Sequence, residues 1–119
     1  MKNNGFTLLE ILISMALVSI LSAIAIPHFN EYKQRAYDLR AKNDLRITAL
    51  AEEVYFIDKE EYLSCKNDNC SDLPGVSKLS KGVQIELTAN EDGYTGTSTH
   101  PKGTGIEFKW DSNLGGFVE

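Results

Sequence analysis

GFTLLEILISMALVSILSAIAIP, residues 5–27, decides how this chain is read. From Ile11 to Pro27 there is no charged residue, and the one carboxylate, Glu10, stands just inside the start of the apolar run. As a helix, the stretch from Phe6 to Phe29 would reach about 36 Å, enough to span a bilayer. Ser14, Ser19 and Ser22 fit such a helix, because a helical hydroxyl can bond a backbone carbonyl one turn back. Ahead of the run lies a short polar segment, Met1–Gly5, with one positive charge.

Glu10 separates this pattern from an ordinary secretory signal. A carboxylate near the head of an apolar segment costs a few kcal/mol in a membrane unless it is paired, and a cleaved signal has no use for it. Two readings follow. Glu10 sits at the headgroup boundary, or it pairs with a cation in an assembly, such as an α-amino group created by cutting before Phe6 on a neighbouring copy. An SAIA run at Ser22–Ala25 after the apolar core also permits conventional signal cleavage.

Working outward, Pro27 removes one helical hydrogen bond and is expected to kink or loosen the helix. The helical pattern then resumes. Ala36, Leu39, Asn43, Ile47, Leu50, Val54 and Ile57 recur at spacings of three and four, one face of an amphipathic helix with Asn43 as its polar exception. Lys33, Arg35, Arg40, Lys42 and Arg46 are interleaved with Glu31, Asp38 and Asp44, a solvated face carrying i,i+4 pairs. One helix is expected from about Phe6 to about Asp58.

Tyr62 to Lys81 reads as a loop, rich in Asn, Asp and Ser. Within it Cys65 and Cys70 stand as CKNDNC. A lone CxxxxC is poor zinc spacing, and a chain exported behind a membrane segment meets oxidising conditions. A disulfide is expected, stabilising the loop by about 2 kcal/mol. Val83, Ile85 and Leu87 alternate with polar residues, a turn follows at Asn90–Gly93, and Tyr94–Thr99 is rich in Thr and Tyr. After Pro101–Gly105, Ile106, Phe108 and Trp110 alternate again, and Asn113–Gly116 turns into a short Phe117-Val118 stretch. The pattern predicts an α+β fold, a long N-terminal helix whose second half packs its apolar stripe on an antiparallel meander of three or four strands.

Composition narrows the function. The 119 residues suit one compact domain plus an appendage, and the net charge of −5 with mixed basic residues argues against nucleic acid as a specific ligand. His28 and His100 lack metal-type neighbours, and no P-loop, G-x-S-x-G or Cys/His dyad is present. No metal, cofactor or catalytic residue is expected. Asn69-Cys70-Ser71 matches the N-x-S pattern only as a weak signal.

Gly5-Phe6-Thr7-Leu8-Leu9-Glu10, followed by the apolar run to Ala23-Ile24-Ala25-Ile26-Pro27, resembles the class III signal sequence and N-terminal helix of type IV pilins and of their relatives, the type II secretion pseudopilins. The match covers about Gly5–Tyr37. The resemblance implies a leader, residues 1–5, removed by a prepilin peptidase between Gly5 and Phe6, with N-methylation of Phe6. It implies a membrane and filament-core helix over 6–29 and a globular domain over 30–119. Glu10 would recruit the subunit and neutralise a neighbour's N-terminus, and Pro27 would mark the helix kink. The implied partners are further copies of the chain in a helical filament, the prepilin peptidase, an inner-membrane assembly platform, minor pilins, and the membrane before assembly. The implied location is the inner membrane first and a surface pilus afterwards, serving adhesion or motility.

Some positions depart from the family's usual pattern. Ser19 stands where many members have Gly, and the Cys pair lies between helix and sheet rather than near the C-terminus. Asp111 and Glu119 are a thin match to a calcium loop, and Leu114–Gly116 reads as a simple turn. The aromatic residues spread along the helix resemble those of short pilins for which electron conduction is proposed, but they also suit ordinary gap filling between helices. A pseudopilin, a minor pilin and a plain bitopic anchor remain alternatives at this point.

Overall fold

A computed structural model describes residues 2–119. A single helix, α1, runs Leu8–Lys59 and includes Pro27 without interruption. It starts two residues after Phe6 because Thr7 caps it. The Glu10 amide donates to Thr7 Oγ1 at 3.2 Å, and the Thr7 amide donates to Glu10 Oε2 at 2.8 Å. This reciprocal pair satisfies two amides that a helix start otherwise leaves open. Ser14 and Ser19 donate to the carbonyls of Glu10 and Met15, each at 2.8 Å, so both hydroxyls are satisfied within the helix.

The described chain falls into two compact units, one ending at Lys33 and one running Gln34–Glu119. In the second, five strands follow the helix: β1 (Cys65–Lys66), β2 (Gln84–Ala89), β3 (Tyr94–Thr99), β4 (Phe108–Asp111) and β5 (Gly116–Val118). They form one antiparallel sheet in sequence order. The fold is α+β. The two-residue β1 adds a strand to the expected meander by pairing Cys65 with Leu87 and Lys66 with Glu86. Sequence alternation could not announce it, since two residues carry no period.

The helix packs on the sheet by a different face from the one its apolar stripe suggests. Leu39, Leu50, Val54 and Ile57 are all exposed, as are Ala36 and Asn43, and Ile47 is 43% exposed. The buried face instead carries Asp38, Ala41, Asp44, Leu45, Thr48, Ala49, Ala51 and Glu52. Small residues make this possible. Ala41 and Ala49 let the sheet approach closely, so that Ser98 Oγ donates to the Ala41 carbonyl at 2.8 Å. Opposite them, Gly96 leaves room for Leu45: a Cβ there would collide with Leu87 and come within 3.0 Å of Leu45 Cδ1. Leu45, Leu73, Ile85, Leu87 and Tyr94 form the centre of the core.

Candidate assembly surface

The buried acids explain why a polar helix face can point inward. Asp38 accepts hydrogen bonds from the Thr104 amide at 3.0 Å and the Thr104 hydroxyl at 2.6 Å. Asp44 accepts from the Ser80 amide at 2.7 Å and the Ser80 hydroxyl at 3.0 Å. Glu52 accepts from the Leu63 amide at 2.9 Å through Oε2. Three carboxylates along one helix thus clamp three separate loops. Each carboxyl accepts from the backbone amide of the loop it holds. Apolar residues on this face would leave the loop amides without partners, at a desolvation cost of about 1–3 kcal/mol each.

Glu52 is the strained member. It is fully buried, and its Oε1 has no partner among the described residues. Burial pushes its carboxyl above the usual carboxylate range, the Leu63 amide works against this, and the neighbouring Glu53 carboxylate adds to it. Nearby, the Tyr94 hydroxyl lies 2.9 Å from the Ala49 carbonyl and 3.2 Å from Glu53 Oε1. Burial, and then the Glu53 charge, push the Tyr94 phenol well above its ordinary value.

His100 is also structural. Its Nε2 lies 3.0 Å from the Lys81 carbonyl, its Nδ1 lies 3.0 Å from the Lys102 amide, and its ring stacks on Tyr37 at 4.4 Å. Both contacts are met at once by the neutral tautomer with its proton on Nε2, which donates to Lys81 while Nδ1 accepts from Lys102. His28 is exposed and 4.0 Å from Glu31. Asp111 accepts from the Asn113 amide at 2.8 Å, and Gly115 takes a positive φ of 78°, so this acid serves a tight turn. Among the described residues, no group of three His, Cys, Asp or Glu side chains could hold a metal ion.

Cys65 and Cys70 are joined in a disulfide with Cα atoms 5.0 Å apart. Cys70 belongs to a 3₁₀ segment, Asn67–Asp72, and is fully buried. The bridge ties this segment to β1. Asn67 Oδ1 secures it further by accepting from the Ile85 amide at 3.0 Å.

What remains for function is the surface that none of the described residues covers. Gly5 and Phe6 precede the helix in non-helical backbone, and Phe6 is 89% exposed. The first part of α1 is long and apolar enough to cross a membrane, and none of that stretch is buried. Glu10 heads this surface, and Pro27 lies in it. In the second unit, the stripe from Leu39 to Ile57 is also open. The structure brings Thr7 and Glu10 together but gives Pro27 and the Cys pair separate places. The capping role of Glu10 was missed in the sequence, although Thr7-Leu8-Leu9-Glu10 is the [ST]-x-x-[DE] signature before an apolar run.

Comparison with known proteins places this surface in context. The prokaryotic N-terminal methylation motif matches residues 1–26. The chain is 31% identical over 106 residues to the type IV wide pilus major component PilA4 of Thermus thermophilus, covering 87% of this chain and 79% of that protein. It is 37% identical over 67 residues to the type IV major pilin protein PilA of Myxococcus xanthus, 56% of this chain and 30% of the relative. It is 29% identical over 93 residues to the type II secretion system core protein G of Pseudomonas aeruginosa, 78% of this chain and 63% of the relative. The chain therefore spans less than two thirds of the length of the latter two.

Proposed function

The chain belongs to the type IV pilin family, and from that premise we propose that it is a structural subunit of a type IV pilus. The observation that carries this reading is an apolar helix of membrane-spanning length with no buried residue in it, headed by Gly5-Phe6-Thr7 and Glu10. Such a surface needs lipid or other helices around it. A bilayer covers it in the subunit pool, and copies of the same helix cover it in the filament. The role is architectural rather than catalytic.

In this reading a prepilin peptidase removes residues 1–5, and the new Phe6 amine is methylated. Residues 6–29 hold the subunit in the inner membrane until an assembly platform extracts it, and minor pilins prime or cap the fibre. The domain over 30–119 then forms the outer surface. Pro27 weakens the helix where it leaves the apolar core. The type II secretion pseudopilus is the second reading, supported by the similarity to core protein G over 78% of this chain.

Glu10 would act twice. In the single chain it closes the cap with Thr7. In the filament its charge would pair with the N-terminal amine of a neighbour, where an unpaired carboxylate would cost a few kcal/mol. Glu10→Gln separates the two roles, because Gln can also complete a capping box. We expect Glu10→Gln to be processed normally but to lose most filaments from the sheared surface fraction. Wild-type filament levels in that variant would leave capping as the only role of Glu10.

A further inference from the structure

The exposed surface of α1 within the Gln34–Glu119 unit carries an apolar stripe, Leu39 to Ile57, flanked by basic residues gathered at one end and acidic residues at the other. At the start, Arg40 and Lys102 both lie over the ring of Tyr37, at 5.4 and 5.9 Å from its centroid, and the ring's other neighbour is His100. The Tyr37 ring thus gathers two cations in one place despite their mutual repulsion. The nearest carboxylate on the helix, Asp38, is buried and engaged with Thr104. From Arg40 to Lys59 the helix climbs about 30 Å. At its far end Glu60 takes a positive φ of 57° and turns the chain back, its amide donating to the Phe56 carbonyl at 2.8 Å. There Glu60, Glu61 and Glu91 line an open cavity of about 500 Å³ together with Tyr62 and Asn90.

Among the described residues, neither set of charges is engaged in an ion pair. The ion pairs among the described residues are His28–Glu31 and Lys66–Glu86, and neither involves these two ends. With a net charge of −5, copies of this chain repel one another overall unless a basic patch meets an acidic one. We propose that the Arg40–Lys102 patch on Tyr37 is a docking surface for the Glu60, Glu61 and Glu91 end of a second copy. This rests on the filament reading and deepens it. The two patches differ and sit at opposite ends of one unit, so the contact is heterologous. A heterologous contact that does not close produces an open helical assembly rather than a dimer. It also sets a stagger: parallel copies making this contact are offset along the helix by about 30 Å, the rise between the patches. Between the charged ends, the exposed Leu39, Leu50 and Ile57 are left for apolar packing among the same copies.

The test uses the full chain in the producing cell. Arg40→Glu with Lys102→Glu, and separately Glu60→Lys with Glu61→Lys, should each lower the sheared filament fraction at least about tenfold, the equivalent of about 1.4 kcal/mol per contact. The fourfold reversal should raise it again above either double variant, since it swaps the signs of both reversed pairs and leaves only Glu91 as it was. All four side chains are exposed, and accumulation of processed chain with its Cys65–Cys70 bridge intact checks that each variant folds. A second variant, Lys102→Cys with Glu61→Cys, should give a ladder of cross-linked multimers from oxidised filaments. Unchanged filament levels in the reversals overturn the proposal, as does a fourfold reversal that stays low. Filaments without cross-links, or cross-links that stop at the dimer, also overturn it while leaving the filament reading standing. An unaltered chain that never forms filaments refutes the filament reading itself.

Discussion

The two faces of α1 between Asp38 and Ile57 are close to opposites of what hydrophobicity alone would assign. The inward face carries Asp38, Asp44, Thr48 and Glu52, and the outward face carries Leu39, Leu50, Val54 and Ile57. The inward face succeeds because its carboxylates have designated partners, the amides of Thr104, Ser80 and Leu63, and because Ala41, Ala49 and Gly96 allow close approach. The outward face is left uncovered by the described residues, the kind of exposed apolar patch that marks interaction sites in general. Internal packing here follows shape and hydrogen bonding, and the conspicuous apolar residues are left exposed.

Two leucines on the same helix put this contrast to its hardest test. Leu45 is fully buried, with its Cδ1 close to where a Cβ on Gly96 would stand. Leu45→Ala should destabilise the Gln34–Glu119 unit by about 3 kcal/mol, measured by thermal unfolding of the full chain in detergent. A cost below about 1 kcal/mol would mean that the inward face is not the core.

Glu52 gives a smaller, pH-dependent effect. Burial raises its folded carboxyl above the ordinary value of 4.5. The folded state therefore holds its proton to higher pH than the unfolded state. Stability from this group is fully present below about pH 4.5 and is lost as pH rises through the folded value. Between those limits the unfolding temperature of the wild type should fall with rising pH relative to Glu52→Gln, whose amide does not titrate. Parallel pH profiles for the two proteins would remove Glu52 as a buried carboxyl.

Leu50 should give the smallest effect on stability and a clear one on assembly. It is 57% exposed. Leu50→Gln should change unfolding by no more than about 0.5 kcal/mol, since the substitution is on the surface and the helix propensities are similar. The same variant should reduce sheared filaments. A large loss of intrinsic stability would show that the outward face is already covered within the chain.

Much of this was legible in the sequence, and the misses share a cause. The apolar helix, the Cys65–Cys70 bridge and the alternation in β2 and β4 follow from local pattern, which periodicity reads well. The packing face of α1 was not legible, because the deciding partners of Asp38, Asp44 and Glu52 lie 66, 36 and 11 residues away. A stripe of apolar residues states that a face avoids water. It does not state whether the cover comes from the same chain or from another. At the assembly surface, Glu10 stood out as a carboxylate in an apolar run, but its capping bond with Thr7 was hidden behind that more conspicuous feature.

The most direct test of the central claim is the intact mass of this protein in filaments sheared from the cell surface. The expected species is a chain beginning at Phe6, heavier by one methyl group and lighter by the two hydrogens lost to the Cys65–Cys70 bridge. A full-length chain beginning at Met1, or a processed chain confined to membranes and missing from the sheared filaments, would contradict it.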